Sequence, residues 1–85
     1  MIYKLFIRRK AQKQLSKIPA KDYYKIKQAI FNLAKNPRPH NCEKLKGREG
    51  WKFRYGNYRV IYEIEENLLI VCVIKIGHRK DVYRH

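Results

Sequence analysis

Apolar residues recur at helical spacing in two stretches of the first half of the chain. In the first, Ala11, Leu15 and Ile18 are separated by lysines and glutamines, and Pro19 follows directly. In the second, which runs from about residue 20 to residue 35, the apolar stripe consists of Tyr23, Ile26, Ile30 and Leu33. Spacings of three and four residues place side chains on one face of a helix. The pattern predicts two helices that form a hairpin and cover one face of a sheet.

Strand patterns lie on both sides of these helices. Residues 2–7 are apolar and β-prone, so they predict an opening strand that ends before Arg8. Residues 36–41 contain two prolines, which remove backbone donors and restrict the preceding residue, so they predict a loop. Residues 68–76 are almost continuously apolar, which is typical of a central strand buried on both sides. The length suits one modest core, and we expect a single domain over residues 1–85.

Residues 50–62 predict a β-hairpin closed by Gly56 and Asn57. Glycine adopts a positive φ without a steric penalty and asparagine tolerates it, so this pair suits a two-residue turn. The turn places aromatic and aliphatic side chains on one face, in the opposed pairs Tyr55 with Tyr58, Phe53 with Val60 and Trp51 with Tyr62. The other face carries Lys52, Arg54 and Arg59. One face is therefore predicted to pack on the core, and the other to be cationic.

The cationic face of this hairpin is the first sign of a function. Arg54 is predicted to lie opposite Arg59, and like charges on neighbouring strands repel, so stability alone does not favour the arrangement. One explanation is a solvated outer face on a basic protein; the other is that the phosphates of a polyanion occupy it. We expect Lys75 to join this face. A three-residue turn before the last strand places Lys75 beside Arg59, whereas a two-residue turn would put its charge on the aromatic face.

The overall charge favours an anionic partner. The chain has 21 lysines and arginines against 7 aspartates and glutamates, which gives a formal net charge of +14. Nucleic acid is the first candidate for such an excess, and an acidic protein is a second that does not exclude it. No apolar run approaches the length of about 20 residues that a membrane-spanning helix needs, and the N-terminus lacks a signal-peptide pattern. We therefore expect no membrane partner.

The two cysteines favour a reducing, cytoplasmic setting. Cys42 lies in a predicted loop, whereas Cys72 lies within the apolar run and is expected to pack as a small hydrophobic residue, so no disulfide is expected. His40 and Cys42 form only a weak metal signal, because they lack paired ligand spacing. We expect neither a metal nor a cofactor.

Side chains suited to RNA cleavage without a metal occur in the hairpin and in the C-terminal segment. The guanidinium groups of Arg59 and Arg79 are permanently charged and bidentate, which suits stabilisation of a phosphorane. Lys52 is a candidate base, because crowding by other cations favours a neutral amine. Tyr83 offers a ring on which an unpaired base can stack, or it packs against the sheet. The predicted substrate-binding or phosphate-binding residues are Arg54, His78, Lys46 and Lys75.

The chain resembles the RelE branch of the RelE/ParE toxins of bacterial and archaeal toxin–antitoxin systems. The resemblance covers nearly the whole chain and is most specific in residues 55–62, Tyr-Gly-Asn-Tyr-Arg-Val-Ile-Tyr, and residues 76–84, Ile-Gly-His-Arg-Lys-Asp-Val-Tyr-Arg. It implies an α+β fold with an N-terminal strand, a helical hairpin and a twisted antiparallel sheet that has the helices on one face. It also implies an endoribonuclease that cuts messenger RNA in the ribosomal A site, and an acidic, RelB-like antitoxin that forms a hetero-oligomer with the toxin.

The resemblance further implies roles for single residues: general base for Lys52, transition-state clamp for Arg59, acid or phosphate contact for Arg79 and stacking residue for Tyr83. Arg54 stands where well-studied members have lysine, and because arginine is a poor base, we expect it to bind phosphate. His78 stands where some relatives have lysine, and an imidazole there is suited to share in proton transfer.

Two other functions are compatible with the residues. A ParE-like toxin shares the fold but inhibits DNA gyrase by binding, and a non-catalytic basic module binds nucleic acid through charge alone. Neither needs a full set of acid–base and phosphate-binding residues. The presence of that set favours the nuclease.

Overall fold

Along the chain, two helices follow the first strand and precede the other four strands of a five-stranded sheet. The computed structural model describes residues 2–78. Strand β1 is Lys4–Ile7, helix α1 is Arg9–Ser16 and helix α2 is Ala20–Asn32. Strand β2 is Cys42–Lys44, β3 is Trp51–Tyr55, β4 is Tyr58–Glu65 and β5 is Ile70–His78, with a 3-10 turn at Glu66–Leu68 before β5. The predicted strand, helical hairpin and sheet are confirmed.

The sheet is mixed and not wholly antiparallel. Its strand order is β1-β5-β4-β3-β2, and β1 runs parallel to β5 while the other neighbours are antiparallel. The backbone N–H groups of Lys4 and Arg8 donate to the carbonyls of Leu69 and Val73 at 2.7 and 3.0 Å. The expectation of an antiparallel sheet is therefore wrong for β1. Side-chain alternation identifies a strand and its buried face, but it carries no information about the direction of the neighbour.

Strand β2 is a second correction, because the sequence predicts a loop at Cys42. The strand pairs with β3 in the register Cys42 to Phe53, Glu43 to Lys52 and Lys44 to Trp51. It has three residues and two of them are charged, so it offers no alternation long enough to be recognised. Its existence depends on the pairing with β3.

The hairpin of β3 and β4 has the predicted register. Tyr55 lies opposite Tyr58, Phe53 opposite Val60, Arg54 opposite Arg59 and Trp51 opposite Tyr62. Gly56 has a positive φ of 56°, and Asn57 is not among the residues with positive φ. A positive φ at the first central position alone is the pattern of a type II′ turn. The turn therefore depends on Gly56 rather than on both residues.

The helices cover one face of the sheet, called here the inner face. Ile26 and Ile30 of α2 are fully buried, and Ala11 and Leu15 of α1 pack in the same cluster. The sheet contributes Phe53, Val60, Tyr62, Val71, Val73 and Ile76. Strand β5 lies in the interior of the sheet as predicted, but Cys72, which alternates with these buried residues, is only half-buried. Both cysteines are free, as expected.

Lys75 reaches the opposite, outer face through a β-bulge. Residues 66–69 separate the paired residues Glu65 and Ile70, so an unbroken ladder would place Lys75 opposite Val60 on the inner face. The register shifts between Ile61 and Tyr62, and Lys75 lies opposite Ile61 instead. The predicted face is thus confirmed. The predicted three-residue turn is wrong, because the connection is one residue longer and the bulge restores the alternation.

The open side of β5 beyond β1 is covered by a side chain of α1. Gln14 accepts a hydrogen bond from the Ile76 N–H through Oε1 at 2.7 Å, and Gln12 donates through Nε2 to the Ile7 carbonyl at 2.7 Å. Unpaired backbone groups at sheet edges invite pairing with other chains. Two glutamines of one helix therefore satisfy edge groups on two strands.

Tyr62 joins the sheet to the loop that follows α2. Its ring is fully buried, and its hydroxyl donates to the Pro37 carbonyl at 2.7 Å. Burial raises the pKa of Tyr62 above its ordinary value, because the phenolate would lose its hydration.

Replacing Tyr62 with phenylalanine is expected to lower the free energy of unfolding by about 1–3 kcal/mol, because the Pro37 carbonyl loses its donor. Urea unfolding measures the change. Tyr55→Phe is the matched control, since the described residues give its hydroxyl no hydrogen-bond partner, and it should change stability by less than about 0.5 kcal/mol. The raised pKa adds a second test: wild-type stability falls as the pH rises above 10.0, the ordinary tyrosine value. The free energy of unfolding of Tyr62→Phe should fall less over that pH range. An equal fall in both proteins would contradict the assignment of the pH dependence to Tyr62.

Candidate functional site

The outer face of the sheet brings four of the predicted cations together. Arg54 and Arg59 are directly opposed across β3 and β4. In the next row, Ile61 lies between Lys52 of β3 and Lys75 of β5. The four side chains therefore share one face over three adjacent strands. This is the cationic face that the hairpin pattern predicted.

A shallow pocket of about 180 Å³ opens on this face. Its lining residues are Asn41, Glu43, Lys52, Phe53, Arg54 and Arg59. Arg59 is the least exposed of the lining cations, with 2% of its surface accessible. A buried guanidinium is restricted to few rotamers, which keeps its planar donors in one orientation. The pocket thus combines a buried arginine with a lysine and an arginine that are more exposed.

Glu43 is a pocket residue that the sequence did not reveal. It pairs directly with Lys52 across β2 and β3, and its Oε2 lies 4.0 Å from the Lys52 Nζ. The Glu43 side chain is 74% exposed and that of Lys52 is 28% exposed, so solvent screens the pair. In the sequence, Glu43 is one acid in a basic segment with no motif around it. The pairing of β2 with β3, which the sequence does not indicate, places this carboxylate beside Lys52.

Asn41 is the other pocket residue that was missed. It ends the loop at residues 36–41, and its Nδ2 donates to the Arg54 carbonyl at 3.5 Å, a long contact. The loop is held at several points besides the Tyr62 hydrogen bond. Arg38 forms an ion pair with Glu66, and its guanidinium lies over the Trp51 ring at 5.2 Å. These contacts hold the loop in place directly before β2.

The Glu66 carboxylate, which binds both Tyr3 and Arg38, also holds this loop in place. The Tyr3 hydroxyl donates to the Glu66 Oε2 at 2.8 Å, and Arg38 binds the same carboxylate. The hydrogen bond from Tyr3, followed by that from Arg38, lowers the pKa of Glu66. The carboxylate therefore remains charged, and it connects the residue before β1, the loop and the 3-10 turn.

His78 lies away from the cationic pocket. It is paired with Tyr58 on the inner side of the sheet, and their rings meet edge to face at a centroid distance of 5.6 Å. Both line a separate cavity of about 320 Å³ together with Gln14, Lys17 and Ile18 of the helical hairpin. Gly77 occupies the outer position opposite Arg59, and successive strand residues point to opposite faces. The described residues therefore do not bring His78 into the predicted site.

The remaining predicted residues lie elsewhere. Lys46 is exposed in the connection between β2 and β3 and does not line the pocket. Arg79 and Tyr83 lie outside the residues that the structure describes, so their predicted roles stay predictions. Between residues 2 and 78, no group of three His, Cys, Asp or Glu side chains is arranged to hold a metal ion. Neither described helix is long and apolar enough to cross a membrane.

Comparison with known proteins identifies the family. The family model for the ParE toxin of the type II toxin–antitoxin system parDE matches residues 5–83. A candidate toxin of Methanocaldococcus jannaschii, RelE1, is 29% identical over 89 residues, which cover 100% of this chain and 99% of the relative.

Solved structures agree with this match. A chain of the archaeal RelE–RelB complex from Pyrococcus horikoshii superimposes with a TM-score of 0.84 at 25% identity, and the match covers 100% of both chains. A chain of the RelBE toxin–antitoxin complex from E. coli superimposes with a TM-score of 0.77 at 25% identity, covering 89% of this chain and 95% of the other. The chain therefore belongs to the ParE toxin family of type II toxin–antitoxin systems and is a RelE-type toxin.

Proposed function

We propose that this toxin is a ribosome-dependent endoribonuclease that cleaves messenger RNA in the ribosomal A site without a metal ion. The observation that carries the proposal is the pocket in which Lys52, Arg54 and Arg59 surround one small volume with Glu43 at its rim. Phosphoryl transfer needs positioned cations for the phosphate and a group that accepts a proton. All of these groups occur on the outer face within three strands.

The reaction proceeds by attack of the ribose 2′-hydroxyl on the adjacent phosphate. The 2′-oxygen forms a bond to phosphorus as its proton passes to an acceptor, the bond from phosphorus to the 5′-oxygen breaks, and that oxygen takes up a proton. Arg59 and Arg54 bind the non-bridging oxygens, where negative charge accumulates in the transition state. Arg79 is proposed as the acid or as a further phosphate ligand, and Tyr83 as the stacking residue.

Glu43 is proposed as the proton acceptor, in competition with the predicted base Lys52. A carboxylate accepts a proton without prior deprotonation at neutral pH, whereas a lysine must first become neutral. The Glu43 Oε2 lies 4.0 Å from the Lys52 Nζ, and both residues line the pocket, so either candidate is close to the same substrate position. In this arrangement Lys52 stabilises the phosphorane electrostatically, and Glu43 removes the proton.

The proposed partners follow from charge and from the relatives. The solved relatives from Pyrococcus horikoshii and E. coli are complexes of RelE with RelB. We propose a cognate acidic, RelB-like antitoxin that forms a hetero-oligomer with this toxin. A net charge of +14 supports both an acidic polypeptide and RNA as ligands. The ribosome and its messenger RNA place the proposed site of action in the cytoplasm.

Arg59→Lys is expected to reduce cleavage by about 100-fold or more, because it keeps the charge but loses the bidentate donors. Primer extension on a defined message with and without translating ribosomes measures cleavage. Arg48→Lys, an exposed arginine in the connection between β2 and β3, is the matched control and should cleave normally. Thermal unfolding verifies that both variants are folded. Wild-type toxin that leaves messages intact on ribosomes while gyrase activity falls would establish the ParE-like alternative.

Glu43→Gln separates the two candidate bases. If Glu43 accepts the proton, the variant should lower the single-turnover cleavage rate by about 100- to 10,000-fold. Binding to a non-cleavable RNA should be retained or tighter, because a negative charge beside the phosphate is removed. Glu49→Gln, at an exposed acid outside the pocket, is the control. A rate that is unchanged in Glu43→Gln but abolished in Lys52→Met would assign the base to Lys52.

A further inference from the structure

Asn41 differs in chemistry from the other polar side chains of the cationic pocket. Lysine and arginine only donate hydrogen bonds, and an ionised glutamate only accepts them. The Asn41 amide does both from one plane. Among the described lining residues it is the one side chain that offers this combination. The edge of a nucleobase likewise presents a donor beside an acceptor, whereas a phosphate presents acceptors alone.

The position of Asn41 is held by the rest of the loop. The buried Tyr62 hydroxyl donates to Pro37 at 2.7 Å, the Arg38 N–H donates to Asn36 Oδ1 at 3.2 Å, and the Cys42 N–H donates to Pro39 at 3.0 Å. An irregular segment with this many attachments presents its last side chain in a defined place. Side chains that discriminate between ligands need such support.

The orientation of the amide follows from its contact with β3. Nδ2 faces the Arg54 carbonyl at 3.5 Å, and no other described residue forms a hydrogen bond with the amide. One Nδ2 hydrogen and the Oδ1 acceptor therefore remain for a ligand. They lie on the wall of the pocket that also contains the Arg54 side chain, a proposed phosphate ligand. A base next to a phosphate that binds Arg54 is therefore expected to lie beside this wall.

We propose that Asn41 is a specificity-determining residue that recognises the base beside the scissile phosphate and favours adenine. The adenine N6 amino group donates to Oδ1 and N7 accepts from Nδ2, which is the bidentate pairing that asparagine makes with this base. Single-stranded RNA exposes both of these atoms. The proposal rests on the proposed nuclease function, since it assigns a base to the same pocket.

Binding of RNA that cannot be cleaved tests this recognition separately from catalysis. Two fluorescent 2′-O-methyl oligonucleotides, one of adenines and one of uracils, serve as probes for fluorescence anisotropy. Wild-type toxin should bind the adenine probe about tenfold more tightly, the size expected of one bidentate pair. Asn41→Ala should abolish the difference and leave uracil binding unchanged. The matched control Asn32→Ala, at an exposed position at the end of α2, should keep it.

Cleavage on ribosomes gives the second measurement. Messages that differ only by adenine or uracil at the cut position should be cut at different rates by wild type and at equal rates by Asn41→Ala. An equal loss of binding for both probes in Asn41→Ala would instead assign Asn41 a purely structural role through its contact with Arg54. RNA cleavage without any base preference overturns this proposal alone. Toxin that neither binds nor cuts RNA overturns the nuclease function and this proposal together.

Discussion

Repulsion among the cations of the outer face is the constraint on which the rest of the structure depends. Two unit charges about 4 Å apart repel by about 1 kcal/mol in water and by about 4 kcal/mol near a protein surface. Arg54 and Arg59 are directly opposed, and Lys52 and Lys75 occupy the next row. Burying one large apolar side chain contributes about 1.5–3 kcal/mol, and the same strands bury Phe53, Val60, Tyr62 and Ile76. Burial of these apolar side chains thus outweighs the repulsion and holds the cations in register. The stability of the fold and the geometry of the site therefore depend on the same strands.

The strand geometry also decides which residues can act together, because adjacent positions face different environments. Arg59 and Gly77 share the outer face, while Tyr58 and His78, one residue away on each strand, meet on the inner side. His78 therefore does not line the cationic pocket, although it precedes the predicted site residue Arg79 in the sequence. The bulge next to Ile61, in contrast, brings a residue to the cationic face. By adding one residue to β5 it moves the Lys75 charge out of the core and into the cationic row.

Two lining residues of the proposed site come from the least regular part of the chain. Asn41 ends a loop and Glu43 lies in a three-residue edge strand. Both are placed by contacts made elsewhere: the buried Tyr62 hydroxyl holds the loop, and the Glu66 carboxylate binds Arg38 within it. The sheet thus carries the proposed phosphate ligands. The loop and the adjoining edge strand carry the proposed proton acceptor and the amide beside them, and such segments vary with less effect on the core than the strands do.

The sequence by itself determined the helical hairpin, the register of β3 with β4 and the cationic face, because each follows from local periodicity and from one turn centred on Gly56. It also indicated the family, and the comparisons support that assignment. Only the tertiary structure decided that β1 is parallel, that His78 faces inward and that Glu43 stands beside Lys52. These features depend on pairing between segments distant in the chain. Alternation within one strand specifies which face a side chain occupies, but the neighbouring strand and its register specify what that side chain meets.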